Sequence, residues 1–286
     1  MFYRQNNSNI DPKRAGLALV LLICGGLFVV ISNRDRGGSH PYPSASPPAW
    51  APQKQAPAPA VNPLTTMLRP PTEKIERHDG IAAIILVDTS GSMGDKVKDA
   101  AGQPQPKIQI AQRCALSLVR QCDSFARQNT GKQMLLGLYE FSGRPNGTLV
   151  RRVIPLGPPE LSSAEQAIAK MHSEGGTPIG NAIIAAKKDL DKSGYTRLHI
   201  LVVTDGENTQ GYAPGDVTNA ISRLPEQNRA SIYFVAFDIA AERFKAVRDA
   251  GGLVLPAGNE QELQQTLDYV LTGKILAEQP NTPAAK

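Results

Sequence analysis

The sequence predicts an α/β fold: a doubly wound, mostly parallel sheet with one antiparallel edge strand, preceded by a transmembrane helix and a proline-rich linker. Three observations lead there. From about residue 78, short apolar runs alternate with amphipathic helical patterns, as strands joined by crossover helices do. Two of those runs, "IAAIILVD" (81–88) and "RLHILVVTD" (197–205), end abruptly in aspartate. Before them lies an uncharged apolar stretch, followed by a segment too rich in proline to pack.

The apolar stretch is "AGLALVLLICGGLFVVISN", Ala15 to Asn33. As a helix it would run about 28 Å, close to the hydrocarbon core of a bilayer. It exceeds the usual apolar region of a signal peptide, and no Ala-x-Ala site follows it. Ile23 rather than a small residue precedes Cys24, which speaks against lipid attachment. The expectation is an uncleaved anchor over 15–33 behind a short tail, 1–14. Arg4, Lys13 and Arg14 lie before it and Arg34 and Arg36 after it. That bias favours the amino terminus inside and a single-pass protein with its soluble domain periplasmic or otherwise extracytoplasmic.

Residues 34–77 read as a Pro/Ala-rich linker. Ten prolines fall within 37–72, so this stretch is expected to form an extended, semi-stiff tether rather than a core. The basic excess also belongs to these flanks. Residues 1–36 carry five basic and two acidic groups, and 37–72 carry two basic and none acidic; of 31 and 26 in all, 24 of each remain from 73 onward. A neutral domain without a basic stripe excludes nucleic acid as the expected partner.

Within 78–272 the elements follow in order. The run 81–88 is apolar at every position up to its aspartate, as a strand buried on both faces is. Residues 107–128 place Ile108, Ala111, Ala115, Leu118, Val119 and Cys122 at helical spacing. "QMLLGLYEF" (133–141) and "TLVRRVIPL" (148–156) flank "SGRPNG" and read as a hairpin, the source of the antiparallel edge strand. Helices are expected at 162–171 and 178–190, the latter with Pro178 in its first turn. After the strand 197–205 come a helix near 216–224, the strand "SIYFVAFD" (231–238), a helix near 241–249, the strand "LVLPA" (253–257) and a helix over 259–271. The tail 273–286 is expected to be disordered. Cys114 and Cys122 lie eight apart on one helix, roughly 12 Å and too far to bridge. They read as small buried apolar side chains, and no Cys or His cluster suggests zinc. Lys187 and Lys188 read as a solvated helix face.

Three segments bring oxygen to strand exits and helix entries: Asp88-Thr-Ser-Gly-Ser92, "GGTPIG" at 175–180 and "TDGEN" at 204–208. In an open parallel sheet these ends meet where strand order reverses. Carboxylates and hydroxyls without thiol or imidazole suit a hard cation: magnesium, with manganese or calcium as alternatives. Each signal alone has a plainer reading. Asp88 and Ser90 could cap a helix, Thr177 before Pro178 could be an N-cap, and Asp205-Gly206 could be a turn. Hydroxyl ligands add no negative charge, so an ion held there would still seek a carboxylate from outside.

Asp88-x-Ser90-x-Ser92, then Thr177, then Asp205 resembles the metal-ion-dependent adhesion site of von Willebrand factor type A domains. The resemblance spans roughly 78–272 and includes "GLYEFSG", "GGTPIGNAI", "LVVTDGENT" and "AGGLVLPAGNEQELQQTLDYV". It implies the doubly wound fold and direct coordination by Ser90 and Ser92. It further implies direct or water-mediated coordination by Thr177, with Asp88 and Asp205 as largely outer ligands. The stretch "KVKDAAGQPQPK" departs from the pattern as a small insertion beside the site. The function implied is a non-enzymatic, metal-dependent protein-binding module for adhesion or assembly. Its ligand would be a protein offering an Asp or Glu carboxylate, and with the anchor the chain resembles a bacterial, membrane-tethered member. A cytoplasm-facing subunit of an ATPase-linked complex is the alternative setting. A metal-dependent phosphoryl-transfer enzyme is a lesser alternative. It would want a second carboxylate two residues after the first, where Ser90 stands. No phosphate-cradling loop or nucleophile elbow appears either.

Overall fold

The computed structural model describes residues 63–71, 75–144 and 147–278. The expected tail 1–14, the anchor 15–33 and most of the linker lie outside the described residues. Among the described residues no helix is long and apolar enough to cross a membrane.

A six-stranded sheet forms the centre, in the order β5-β4-β1-β6-β7-β8. Its strands are β1 (His78–Asp88), β4 (Met134–Phe141), β5 (Val150–Gly157), β6 (Tyr195–Thr204), β7 (Ser231–Phe237) and β8 (Leu253–Ala257). All pairings are parallel except β4 with β5, the edge hairpin expected from "SGRPNG". The inserted stretch after the first aspartate is a two-stranded antiparallel ribbon, β2 (Lys96–Lys98) with β3 (Pro104–Pro106).

The unbroken apolar run of β1 is explained by the two layers it separates. Ile81, Ala83, Ile85 and Val87 join one core cluster with α2 (Lys107–Gln128), α3 (Leu161–Ala169) and α7 (Glu260–Val270). Ala82, Ile84 and Leu86 join the other with α4 (Ile179–Lys192), α5 (Pro214–Ser222) and α6 (Lys245–Asp249). Alternate side chains point to opposite faces, so a strand covered on both sides must be apolar throughout. The chain leaves β1 toward β4 on one side and later returns to β6 on the other. The carboxyl ends of β1 and β6 therefore flank the crevice where strand order reverses.

Three expectations need correction. The linker does not stay clear of the domain: Pro63–Met67 forms a short helix, α1, and Leu64 and Leu68 are buried in the second core. Two leucines at helical spacing supply an apolar face even where proline dominates the composition. The tail does not begin at 273. Residues Leu271–Ile275 form a π-helical turn with Ile275 in the first core, and Glu278 lies 3.0 Å from His199 Nε2 and accepts from Arg197 at its carbonyl. Lys187 is not solvated. It is fully buried and paired with Asp191 one turn on, which offsets the cost of its burial. The two cysteines are buried and unbridged.

Candidate metal centre

The site is built at the carboxyl ends of β1 and β6. Asp88, the last residue of β1, is fully buried. Its Oδ1 accepts from the Ser90 backbone N–H at 2.7 Å and its Oδ2 from Thr204 Oγ1 at 2.5 Å. Thr204 ends β6, so this bond ties the two strand exits together. Burial, opposed by the bonds from Thr204 and Ser90, pushes the Asp88 carboxyl up to about 7.

Beyond β1 the chain makes a tight 3-10 turn, Gly91–Gly94. Ser90 precedes this turn without capping it; its Oγ lies 3.2 Å from Ser92 Oγ. Ser92 is exposed and donates to Asp205 Oδ1 at 2.8 Å. Thr177 makes no cap bond either, because the N-cap position of α4 falls on Pro178. A Cβ placed on Gly206 would stand 3.6 Å from Ser92 Oγ and 3.6 Å from Thr177 Oγ1, so the two hydroxyls border one small space. Ser90 and Thr177 thus do not serve as side-chain caps, whereas Asp205-Gly206 does lie in a bend, with the Gly206 N–H donating to Thr204 Oγ1. Ser90, Ser92, Thr177 and Asp205 converge, with Asp88 and Thr204 behind them.

The loop carrying Thr177 is laced to both neighbours by its backbone. Glu174 N–H donates to Thr89 O, Gly91 N–H to Gly175 O, and Gly143 N–H to Gly176 O, at 2.8 to 2.9 Å. Gly175 has φ of +73°, and a Cβ there would lie 2.3 Å from Gly143 O. Only glycine fits that approach. On the other side Thr177 N–H donates to Thr209 Oγ1 and Thr209 N–H to Thr177 O, locking the loop after β6 to the start of α4.

Three residues at the site were not singled out from sequence. Thr204 holds Asp88. Lys107, the first residue of α2, places its ammonium 3.0 Å from Asp205 Oδ2 and 2.9 Å from Asp238 Oδ2. Burial pulls that ammonium down, but the bonds from Asp238 and Asp205 outweigh it and hold its pKa above the ordinary lysine value. Signals existed for two of them: Lys107 falls on the same stripe as Ile110, Ala111 and Cys114, and Asp238 follows β7 as Asp88 and Asp205 close their runs. Glu207 is exposed and paired with Arg243 at 2.8 Å.

Among the described residues no group of three or more His, Cys, Asp and Glu side chains forms a metal cluster. The donor set here is of another kind, two carboxylates and three hydroxyls. Such donors fit a hard divalent cation, and Asp88, buried with no basic partner among the described residues, is the kind of carboxylate a cation would stabilise.

The sequence profile of the von Willebrand factor type A domain matches residues 84–264. No curated protein sequence matches the chain. Among solved structures, a von Willebrand factor type A protein from Catenulispora acidiphila is 18% identical with a TM-score of 0.53, over 70% of this chain and 44% of that one. The PilB minor pilin from Streptococcus sanguinis is 13% identical with a TM-score of 0.52, over 71% and 63%. The pilus adhesin SpaC from Lactobacillus rhamnosus GG is 14% identical with a TM-score of 0.50, over 70% and 31%. The chain thus spans less than two thirds of each of these structures, and at such identities the likeness is one of fold.

Proposed function

The chain belongs to the von Willebrand factor type A family, and from that premise we propose that its oxygen cluster holds one divalent cation, magnesium foremost, and presents it to a carboxylate of a protein partner. Ser90, Ser92 and Thr177 would hold the ion, with Asp88 and Asp205 orienting hydroxyls and waters around it. The ion supplies a Lewis-acidic point for an anionic ligand. The chain's own part is to gather the hydroxyls, keep Asp88 buried behind them and leave Ser92 open to the outside. The observation that carries this reading is the convergence of three distant segments on the space beside Gly206.

We place no catalysis here. Both Asp88 oxygens are engaged, one by Ser90 N–H and one by Thr204, and the residue is fully buried. A phosphoryl acceptor would need a free, approachable oxygen. Manganese and calcium remain alternatives to magnesium on the same donors. The segment 15–33 is proposed as the anchor, with the domain extracytoplasmic. Accessibility of a C-terminal tag from either side of the membrane tests that orientation.

The test is capture of protein partners from native membranes with magnesium against EDTA, comparing wild type with Ser90→Ala/Ser92→Ala and Asp88→Ala. Loss of capture in EDTA and in the serine variant, with the fold retained, supports the reading. Capture that ignores both contradicts it.

A further inference from the structure

The chain carries its own cation at this site. Lys107 is almost wholly buried, with its ammonium between Asp205 Oδ2 and Asp238 Oδ2. Asp205 uses its other oxygen to accept from Ser92. One carboxylate is therefore gripped from both ends, by the ammonium and by a hydroxyl of the donor cluster. Asp238 adds a second observation. It has φ of 54°, the one non-glycine residue in the left-handed region among those described. Aspartate tolerates that backbone better than most L residues, and contacts hold it in place. Here the Asp238 N–H donates to Ala257 O at 2.7 Å, and its carboxylate meets Lys107.

We infer that Lys107 is a built-in counter-cation that competes with the divalent ion for Asp205, so that the site is shaped in advance but weak for metal alone. The inference rests on the metal reading above. Asp88 and Asp205 bring two carboxyl groups to the donor cluster, and Lys107 sets its positive charge against the second of them while Asp238 holds the ammonium from its other side. Repulsion between the ammonium and a dication acts through protein rather than water and is poorly screened. An ion held by so little net charge gains most from an added anion. Metal and acidic partner therefore bind together, each raising the other's affinity by the same factor. Lys107 is a positioning residue in this scheme: it fixes Asp205 against Ser92 and sets how much charge the ion meets.

The test is Mn2+ binding to the full chain, read from the electron paramagnetic resonance signal of the free ion. Lys107→Met should bind Mn2+ about tenfold more tightly than wild type or better. A residue with only a structural role would not do this, because damage to a site loosens it. Unchanged or weaker binding by Lys107→Met, with wild-type circular dichroism, overturns the inference. Should Lys107→Met fail to fold, Asp238→Asn decides. Released from Asp238, the ammonium turns wholly to Asp205 and Mn2+ binding weakens several-fold; unchanged or tighter binding overturns the inference. Absence of Mn2+ binding by wild type and Lys107→Met alike, both folded, is a separate result: it overturns the metal reading itself, and this inference with it.

Discussion

Thr204 donates to Asp88 across 2.5 Å, joining the last residues of two neighbouring parallel strands that lie 116 positions apart in the chain. The bond is buried, so removing the donor leaves a carboxylate oxygen without a partner. Thr204→Val keeps the shape and deletes the hydroxyl. We expect a loss of about 1–3 kcal/mol in denaturant unfolding without metal. Metal binding should also weaken, because Asp88 loses its anchor. Equal unfolding midpoints for the two proteins would contradict this.

The raised carboxyl of Asp88 sets a pH dependence for the metal-free protein. Its folded value of about 7 lies above the ordinary 3.8, so between those values the folded state holds a proton that the unfolded chain releases. Stability from this group is full below about pH 4 and is lost as pH rises through 7. Unfolding free energies in EDTA at pH 5, 6, 7 and 8 should fall in wild type relative to Asp88→Asn. Saturating magnesium should remove the difference in slope. A wild-type curve parallel to that of Asp88→Asn would show that Asp88 does not titrate in this range.

Gly175 is where the Thr177 loop passes closest to the β4 exit. Gly175→Ala would meet the Gly143 carbonyl and keep a left-handed backbone that alanine resists. We expect a destabilisation of about 2 kcal/mol or more. More specifically, magnesium should raise the melting temperature of wild type but not of Gly175→Ala, because the loop must shift and carry Thr177 with it.

Cys114 and Cys122 are buried, and burial pushes both thiols up to about 12. The thiol rather than the thiolate persists at pH 8, and access is closed. Mass spectrometry after native alkylation should find both cysteines unmodified, and alkylation in denaturant should modify both. Rapid native labelling of either would mean that α2 opens away from the sheet.

Leu68 tests the corrected boundary of the linker. It is 1% exposed and packs in the second core. Leu68→Ala should cost about 2–5 kcal/mol in unfolding. A cost near zero would mean that α1 is not part of the folded unit.

Where physics forces a pattern, the sequence was readable. β1 must be apolar on both faces because helices cover both, and 81–88 shows it. α2 must present one stripe, and its bounds were legible from Ile108, Ala111, Ala115 and Leu118. The hairpin was legible from its turn residues. The oxygen cluster was legible because its residues sit at strand exits, where chain direction and topology bring them together. What stayed hidden were charges in places usually given to apolar groups. Lys107 and Lys187 look like solvent-facing lysines until their carboxylate partners are located, and Lys107 finds both of its partners far away in sequence. Thr204 looks like an ordinary strand threonine, since its role appears only when β1 lies beside β6. Leu64 and Leu68 were masked by the prolines around them.

The central claim is that one divalent ion is held by hydroxyls from separate segments. Its most direct test is Mn2+ stoichiometry on the full chain, wild type against Ser90→Ala/Ser92→Ala, with folding checked by circular dichroism. The account predicts one ion per wild-type chain and none on the variant over the same concentration range. Equal binding by both proteins, or none by wild type, would contradict it.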